Sequence, residues 1–320
     1  MRRLLAITLV AVSLNAAAAE PSSPPRKLVL RERARWTATD AVVQRVQFAP
    51  DGKSLVVASG GGEASLWTLA GEARGKLAGQ RSPMFNAVFS PGGDTLATTG
   101  YDGTLRLWPL PASETFRTLK VHRAAVNDVA FCGSTGRVVT GSDEGVARLW
   151  QIHEEKLDVV AEVQGAGTVR RVACDAAHGR FANSFDSGEV QVTAFSGRAV
   201  ARFDSGQHRL NAIALARDGK RLLTGSTDGS VKLWTTNGRP LLTRRVVEKG
   251  WVNDARFSPD GRLIAVATDD GHVRVYDLSG SLLADQAVTK ARATSALFSA
   301  DGRLLAGGSS TGEAFVFEVA

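Results

Sequence analysis

Apolar residues run along this chain in short strips, and each strip ends on a turn rich in glycine, proline or aspartate. Residues 251–277 show the pattern clearly. Val252–Phe257 reads as a short strand, and Ser258-Pro259-Asp260-Gly261 follows as a turn. Proline sets φ, aspartate bonds its own backbone and glycine takes the left-handed position. Residues 263–267 are apolar throughout, as in a strand covered on both faces. Asp269-Asp270-Gly271 makes a second tight turn, and residues 272–276 alternate in a third strand. A fourth, less regular strand is expected before the pattern restarts.

The string recurs seven times. Phe48, Phe89, Phe131, Cys174, Leu215, Phe257 and Phe298 stand 41, 42, 43, 41, 42 and 41 residues apart. Nineteen residues beyond each lies Trp67, Trp108, Trp150, Thr193, Trp234, Tyr276 or Phe317. A fixed register over seven copies means one supersecondary unit repeated, so the 320 residues share one continuous core rather than two domains. Four antiparallel strands per copy make a blade. A lone blade exposes both faces and both edges, so blades must stack, and ring closure protects the edges. The predicted fold is all-β, a seven-bladed β-propeller of four-stranded antiparallel blades, with repeats starting near 41, 82, 124, 167, 208, 250 and 291. The seventh repeat has room for three strands before Ala320, and residues 26–36 read as a strand without a blade of its own.

The stretch Thr224-Gly225-Ser226-Thr227-Asp228-Gly229-Ser230-Val231-Lys232-Leu233-Trp234 resembles the end of a WD40 repeat, and residues 102–108 and 144–150 are similar. The resemblance recurs in register over about 41–320. It implies a buried network of His, Ser or Thr, an acid and Trp within a blade. Carried over, the network is His208, Thr224, Asp228 and Trp234 in repeat five. In repeat three it is His122, Thr140, Trp150 and a displaced acid, Asp143 or Glu144; in repeat two it is Thr98, Asp102 and Trp108 without a histidine. Repeats one, four and seven lack most of the set, and repeat four, with Cys174, Ser187 and Thr193, reads as a weak blade. The resemblance also implies that residues 27–38 form the outer strand of blade seven, so that 27–320 is one domain. It further implies peptide binding on the narrower face, through residues just ahead of the first strand and just before the acid of the second turn. The first set is Phe85, Arg170, Arg209, Asn211, Trp251, Asn253 and Arg292, and the second is Tyr101, Asp143, Asp186, Thr227 and Asp269. Aromatics and arginines are the usual anchors of interfaces. Trp251 is the most informative, since repeat three has Ala125 at the matching site.

The N-terminus adds a destination. Met1-Arg2-Arg3 precedes an apolar run over residues 4–14, too short to span a bilayer, and then Asn15-Ala16-Ala17-Ala18-Ala19-Glu20. This is the layout of a secretory signal peptide over 1–19, cleaved after Ala19. Residues 20–26 follow as a flexible lead-in, and no stable membrane insertion is expected after cleavage. Export to a periplasmic or extracellular space is the expectation. Losing Arg2 and Arg3 takes the net charge from +7 to +5. The arginines are scattered without a basic run, so nucleic acid is not an expected partner, while an anionic envelope polymer stays open. An oxidising compartment would permit a disulfide between Cys132 and Cys174. They lie one register apart in equivalent strands, which points their side chains to opposite faces, and two buried thiols are the expectation.

No enzymatic chemistry stands out. The five histidines fall in different repeats without metal-ligand spacing, and no Asp-Gly turn extends into a calcium loop. No metal or cofactor is expected. No strand-to-helix serine elbow occurs, and Gly60-Gly61-Gly62 sits in a hairpin rather than before a helix. The expectation is a non-catalytic scaffold for a cell-envelope protein or peptide, as a monomeric ring or a subunit of a hetero-complex. A propeller-type enzyme with a ligand in the central channel, in the manner of quinoproteins, is the competing reading.

Overall fold

The computed structural model describes residues 27–77, 82–111, 115–154 and 156–320. The leader expected over 1–19 and the lead-in over 20–26 lie outside the described residues. Strand β1 (Leu30–Thr37) precedes blade 1, which consists of β2 (Val43–Phe48), β3 (Ser54–Ser59), β4 (Ala64–Thr68) and β5 (Ala73–Leu77). Strands β6 to β25 repeat this meander in blades 2 to 6, over 84–120, 126–164, 169–204, 210–245 and 252–287. Blade 7 holds β26 (Ala293–Phe298), β27 (Leu304–Ser309) and β28 (Glu313–Val319). Its fourth strand is β1, paired antiparallel with β28 from Leu30 opposite Val319 to Thr37 opposite Glu313. The predicted ring, its seven blades and its closure by the N-terminal strand are therefore present.

The core lies between blades. Each second strand is buried almost completely, and β3 and β27 are filled mainly by apolar and small residues. Trp108 of blade 2 is fully buried against Val56 and Ala58 of blade 1. The second-turn glycines are required by close approach. A Cβ on Gly312 (φ 86°) would collide with the carbonyl oxygen of Thr39, where the closing strand hands over to blade 1.

One feature of the innermost strands escapes the repeat reading. In all seven, the ladder skips a residue after the first pair: between Val43 and Arg45, Met84 and Asn86, Val126 and Asp128, Val169 and Arg171, Leu210 and Ala212, Val252 and Asp254, and Ala293 and Ser295. Such a bulge re-aims side chains locally.

The cysteine expectation is overturned. Cys132 and Cys174 form a disulfide, with Cα atoms 5.4 Å apart. The opposite-face argument had the geometry inverted. Neighbouring blades stack face to face, so the facing surfaces of blades 3 and 4 are opposite faces of the repeat. Cys132, just past β10 (Val126–Phe131), and Cys174, in β14 (Val169–Asp175), meet there in one apolar cluster with Phe181 and Val139.

Repeat four nonetheless has all four strands, filled by fully buried Phe181 and Phe185. Its erosion shows in one place. Asn183 stands where blades 2, 3 and 5 carry the network threonine; it is fully buried, and neither Oδ1 nor Nδ2 has a protein partner.

Candidate interaction face and central channel

The residue before each second-turn acid bonds the residue just ahead of the innermost strand, and in blades 5 and 6 both partners belong to the predicted sets. The backbone N–H of Tyr101 donates to the carbonyl of Pro83 (3.1 Å), Asp143 to Ala125 (3.0 Å), Asp186 to Thr168 (3.0 Å) and Thr227 to Arg209 (3.4 Å). Asp269 donates to Trp251 (3.0 Å), and Ser310 to Arg292 (2.9 Å). The first predicted set, however, mixes two positions. Arg209, Trp251 and Arg292 immediately precede an innermost strand, whereas Phe85, Arg170, Asn211 and Asn253 are the residues the bulges skip.

The skipped asparagines are partly committed to the ring itself. The Asn211 amide donates to the carbonyl of Val252 in the next blade (3.2 Å), and Asn253 donates to that of Ala293 (2.9 Å) and to Asp269 Oδ1 (2.9 Å). Asn127, which sequence reasoning left out, makes the same latch to Val169 (3.0 Å) and Asp143 (2.7 Å). Asparagine at the residue after each strand's first buried position is the signal that marks it. Arg170 takes the position in blade 4 and forks onto both carboxylate oxygens of Asp186.

What remains presented falls into two patches. Tyr101 is 66% exposed on blade 2, beside half-buried Phe85. Trp251 is 39% exposed on blade 6, with the Arg209 guanidinium 5.9 Å from its ring centre. Arg209 is the one described non-glycine residue with positive φ, at 48°. An L-residue there costs about 1–2 kcal/mol, so the packing around it holds it. Its side chain and that of Arg292 are exposed, and with Arg170 they make three cations against Asp143, Asp186 and Asp269 among the predicted positions.

Behind the face, the expected networks are present with changed members. In blade 3, His122 Nε2 bonds Thr140 Oγ1 (2.7 Å), Trp150 Nε1 donates to the same oxygen (2.8 Å), and Nδ1 meets Glu144 (2.6 Å). Glu144 is thus the displaced acid, and it also accepts from Arg148 (2.6 Å). In blade 2, Trp108 donates to Thr98 (2.9 Å), while Arg106 pairs with Asp102 (2.7 Å). Blade 5 corrects the assignment of His208. Trp234 donates to Thr224 (3.1 Å), but Thr224 donates to Gln207 (2.7 Å), which in turn reaches Ser230 (2.9 Å) and through it Asp228 (2.7 Å). Gly206 (φ 61°) and Arg209 are both left-handed in this connection, so it follows another path, and His208 is exposed.

The family models agree with this geometry. The WD domain, G-beta repeat, matches residues 71–109, 113–151, 197–235 and 241–277. A WD repeat-containing protein of Synechocystis sp. is 36% identical over 286 residues, covering 77% of this chain and 86% of its own. The chain belongs to the WD40-repeat family. A second WD repeat-containing protein of that organism, uncharacterised, is 30% identical over 239 residues, 74% of this chain and 70% of its own. A guanine nucleotide-binding protein subunit beta of Solanum tuberosum is 29% identical over 214 residues, 61% of this chain and 57% of its own.

In this WD40 ring, His122 gives a pH handle. Its side chain has no exposed surface, and burial holds its pKa below the ordinary value of 6.5, with the Glu144 carboxylate opposing that shift and Arg148 adding to it. The unfolded chain therefore takes up the proton first. Stability is full above about pH 6.5 and falls as pH drops through the folded value. Glu144, whose own pKa is lowered by its bonds to His122 and Arg123 against burial, stays charged through that range. Because Gln207 does the same job in blade 5, His122→Gln should fold and flatten the decline in urea midpoint between pH 7 and pH 5. Parallel declines would remove His122 from the pH response.

The channel of this WD40 ring is not an open tube. Arg45, Asn86, Asp128, Arg171, Asp254 and Ser295 share one register position, the first after each bulge. Arg45 of blade 1 reaches past blade 7 to Asp254 of blade 6 (2.8 Å). Arg256, two residues on, pairs with the same Asp254 oxygen (3.1 Å). Arg171 donates to the carbonyls of Asn211 (2.7 Å) and Arg170 (2.9 Å). Among the described residues no group of three or more His, Cys, Asp or Glu side chains is placed to hold a metal, and no helix is long and apolar enough to cross a membrane.

Proposed function

We propose that this protein is an exported, non-catalytic scaffold that docks a protein or peptide of the cell envelope on its loop face. WD40 propellers are typically protein-interaction scaffolds, and four segments of this ring match the repeat. Two features support an oxidising, exported setting: the signal-like N-terminus and the Cys132–Cys174 disulfide. The observation that carries the docking surface is Trp251, a large indole left 39% exposed with Arg209 laid over it. An exposed aromatic held in place by a guanidinium loses little side-chain freedom on binding, which is what an interface anchor requires. The mixed signs of the predicted positions, Arg170, Arg209 and Arg292 against Asp143, Asp186 and Asp269, favour a polypeptide partner over a polyanion.

The test is affinity capture from envelope extract with wild type and a Trp251→Ala/Arg209→Glu variant of matched melting temperature. Loss of a buried tryptophan anchor costs about 2 kcal/mol or more, roughly thirtyfold in affinity, so the variant should lose the partners that wild type retains. Equal capture by both would place the docking site elsewhere.

A further inference from the structure

Charge at the channel waist does not balance. Three guanidiniums, Arg45, Arg171 and Arg256, meet two carboxylates, Asp128 and Asp254. Asp128 is committed to neutral donors: Oδ1 accepts from the Asn86 amide (2.6 Å) and Oδ2 from the Val172 backbone N–H (2.9 Å). Asp254 Oδ1 serves both Arg45 and Arg256, and its Oδ2 accepts a long bond from Ala296 N–H (3.4 Å). Arg45 is only 5% exposed, yet neither Nη1 nor Nη2 has a hydrogen bond of good geometry; Nη1 has its ion contact with Asp254 and Nη2 has nothing. Ser295, fully buried at the same level and beside Ala296, also has an unpartnered hydroxyl.

A buried cation that must share its one carboxylate with a second guanidinium is expensive, and arginine does not escape by losing its proton at neutral pH. Arg171 registers the cost. Burial, and then repulsion from Arg45, push its pKa down to about 9, while Asp128 and Asp254 pull the other way. What is missing is one negative charge able to accept from Arg45. The repeat explains why the arrangement is not needed by the fold: at this position blade 5 has Ala212 and blade 2 has Asn86. Uncharged residues satisfy the register, so the guanidiniums are an addition to it.

We propose that the waist of the channel binds a small monovalent anion of the halide class, with Arg45 as its principal donor, Arg171 and Arg256 supplying the surrounding positive charge, and the Ser295 hydroxyl close by. Arg45, Asp254 and Ser295 are each at most 5% exposed, which favours a small ion over a phosphate ester or a peptide carboxylate. An anion held there ties blade 1 to blades 4 and 6 across the axis, which makes the ring's rigidity depend on the ion.

The test replaces sodium gluconate by sodium bromide or chloride at constant ionic strength and pH, on the whole protein. Halide at ten or more times its dissociation constant should raise the wild-type Tm by about 2–4 °C or more. Arg45→Gln, which keeps a polar group but removes the charge, should lose that rise, whereas Arg262→Gln, at an exposed surface arginine, should keep it. Crystals grown in bromide should show one anomalous peak at the waist beside Arg45. A wild-type Tm indifferent to halide, the same rise in Arg45→Gln, or no bromide at the waist would each overturn the site. The bromide crystal decides the matter even if Arg45→Gln does not fold.

Discussion

A chain lacking residues 27–38 should fail to give a soluble monomeric ring. Strand β1 is the outer edge of blade 7, and its removal leaves β28 with an unpaired edge along its full length. Leu30, 9% exposed, packs with Phe315 and Phe317, and Trp36 lies against Trp67 of blade 1 with ring centres 5.7 Å apart. Losing these two anchors costs about 3–6 kcal/mol, against a typical net stability of about 5–15 kcal/mol. The backbone contributes as well: Leu28 N–H bonds Leu283 of blade 6 (2.9 Å), and Val29 and Ala320 exchange a pair of bonds (2.9 and 3.0 Å). An exposed hydrophobic edge strand recruits other chains, so the expected result is aggregation, seen by size-exclusion chromatography with light scattering. A monomeric deletion protein with unchanged melting would show that the ring closes without its N-terminal strand.

That closure is legible in the sequence, because a period of 41–43 residues leaves the last repeat one strand short and an orphan strand at the other end. Blade number, strand order and the tryptophan–threonine bonds follow from the same register. The misses share a cause: period-two and repeat arguments treat a strand as straight and a blade as isolated. The bulge after the first residue of every innermost strand shifts which side chain faces the channel, so Phe85 and Arg209, grouped together by the repeat, occupy different positions. Stacking face to face brings Cys132 to Cys174, a relation between blades that alternation within a blade does not express. Gln207 replaced His208 because two left-handed residues changed the path of one connection, and φ is hard to read from an arginine. Arg45, Asp128, Arg171 and Asp254 stand one or two repeats apart in sequence, where each looks like a lone polar residue in a strand; only the ring gathers them.

Replacing both Cys132 and Cys174 by alanine should cost about 4 kcal/mol of stability, because the bridge closes a loop of 42 residues. The loop model suits this site. Alanine leaves an apolar pair in an apolar cluster with Val139, Phe181 and Val172, so little packing is lost and no polar group is stranded. Most of the cost then lies in the freedom regained by the unfolded chain. The position sharpens the effect. The bridge ties the end of β10 in blade 3 to β14 in blade 4, and blade 4 is the one that carries the unpartnered Asn183 amide in place of the threonine–tryptophan bond. Nearest-neighbour stacking makes a ring only as cooperative as its weakest interface. Without the bridge, blade 4 should therefore open first, and hydrogen exchange should speed up over 169–204 more than over 252–287. Urea unfolding of the oxidised wild type, the reduced wild type and the double alanine variant checks this. The last two should share a lowered midpoint, and the native protein should resist thiol alkylation until reduced. Two freely alkylated thiols in the untreated protein, or equal midpoints for all three, would remove the bridge from the stability of the ring.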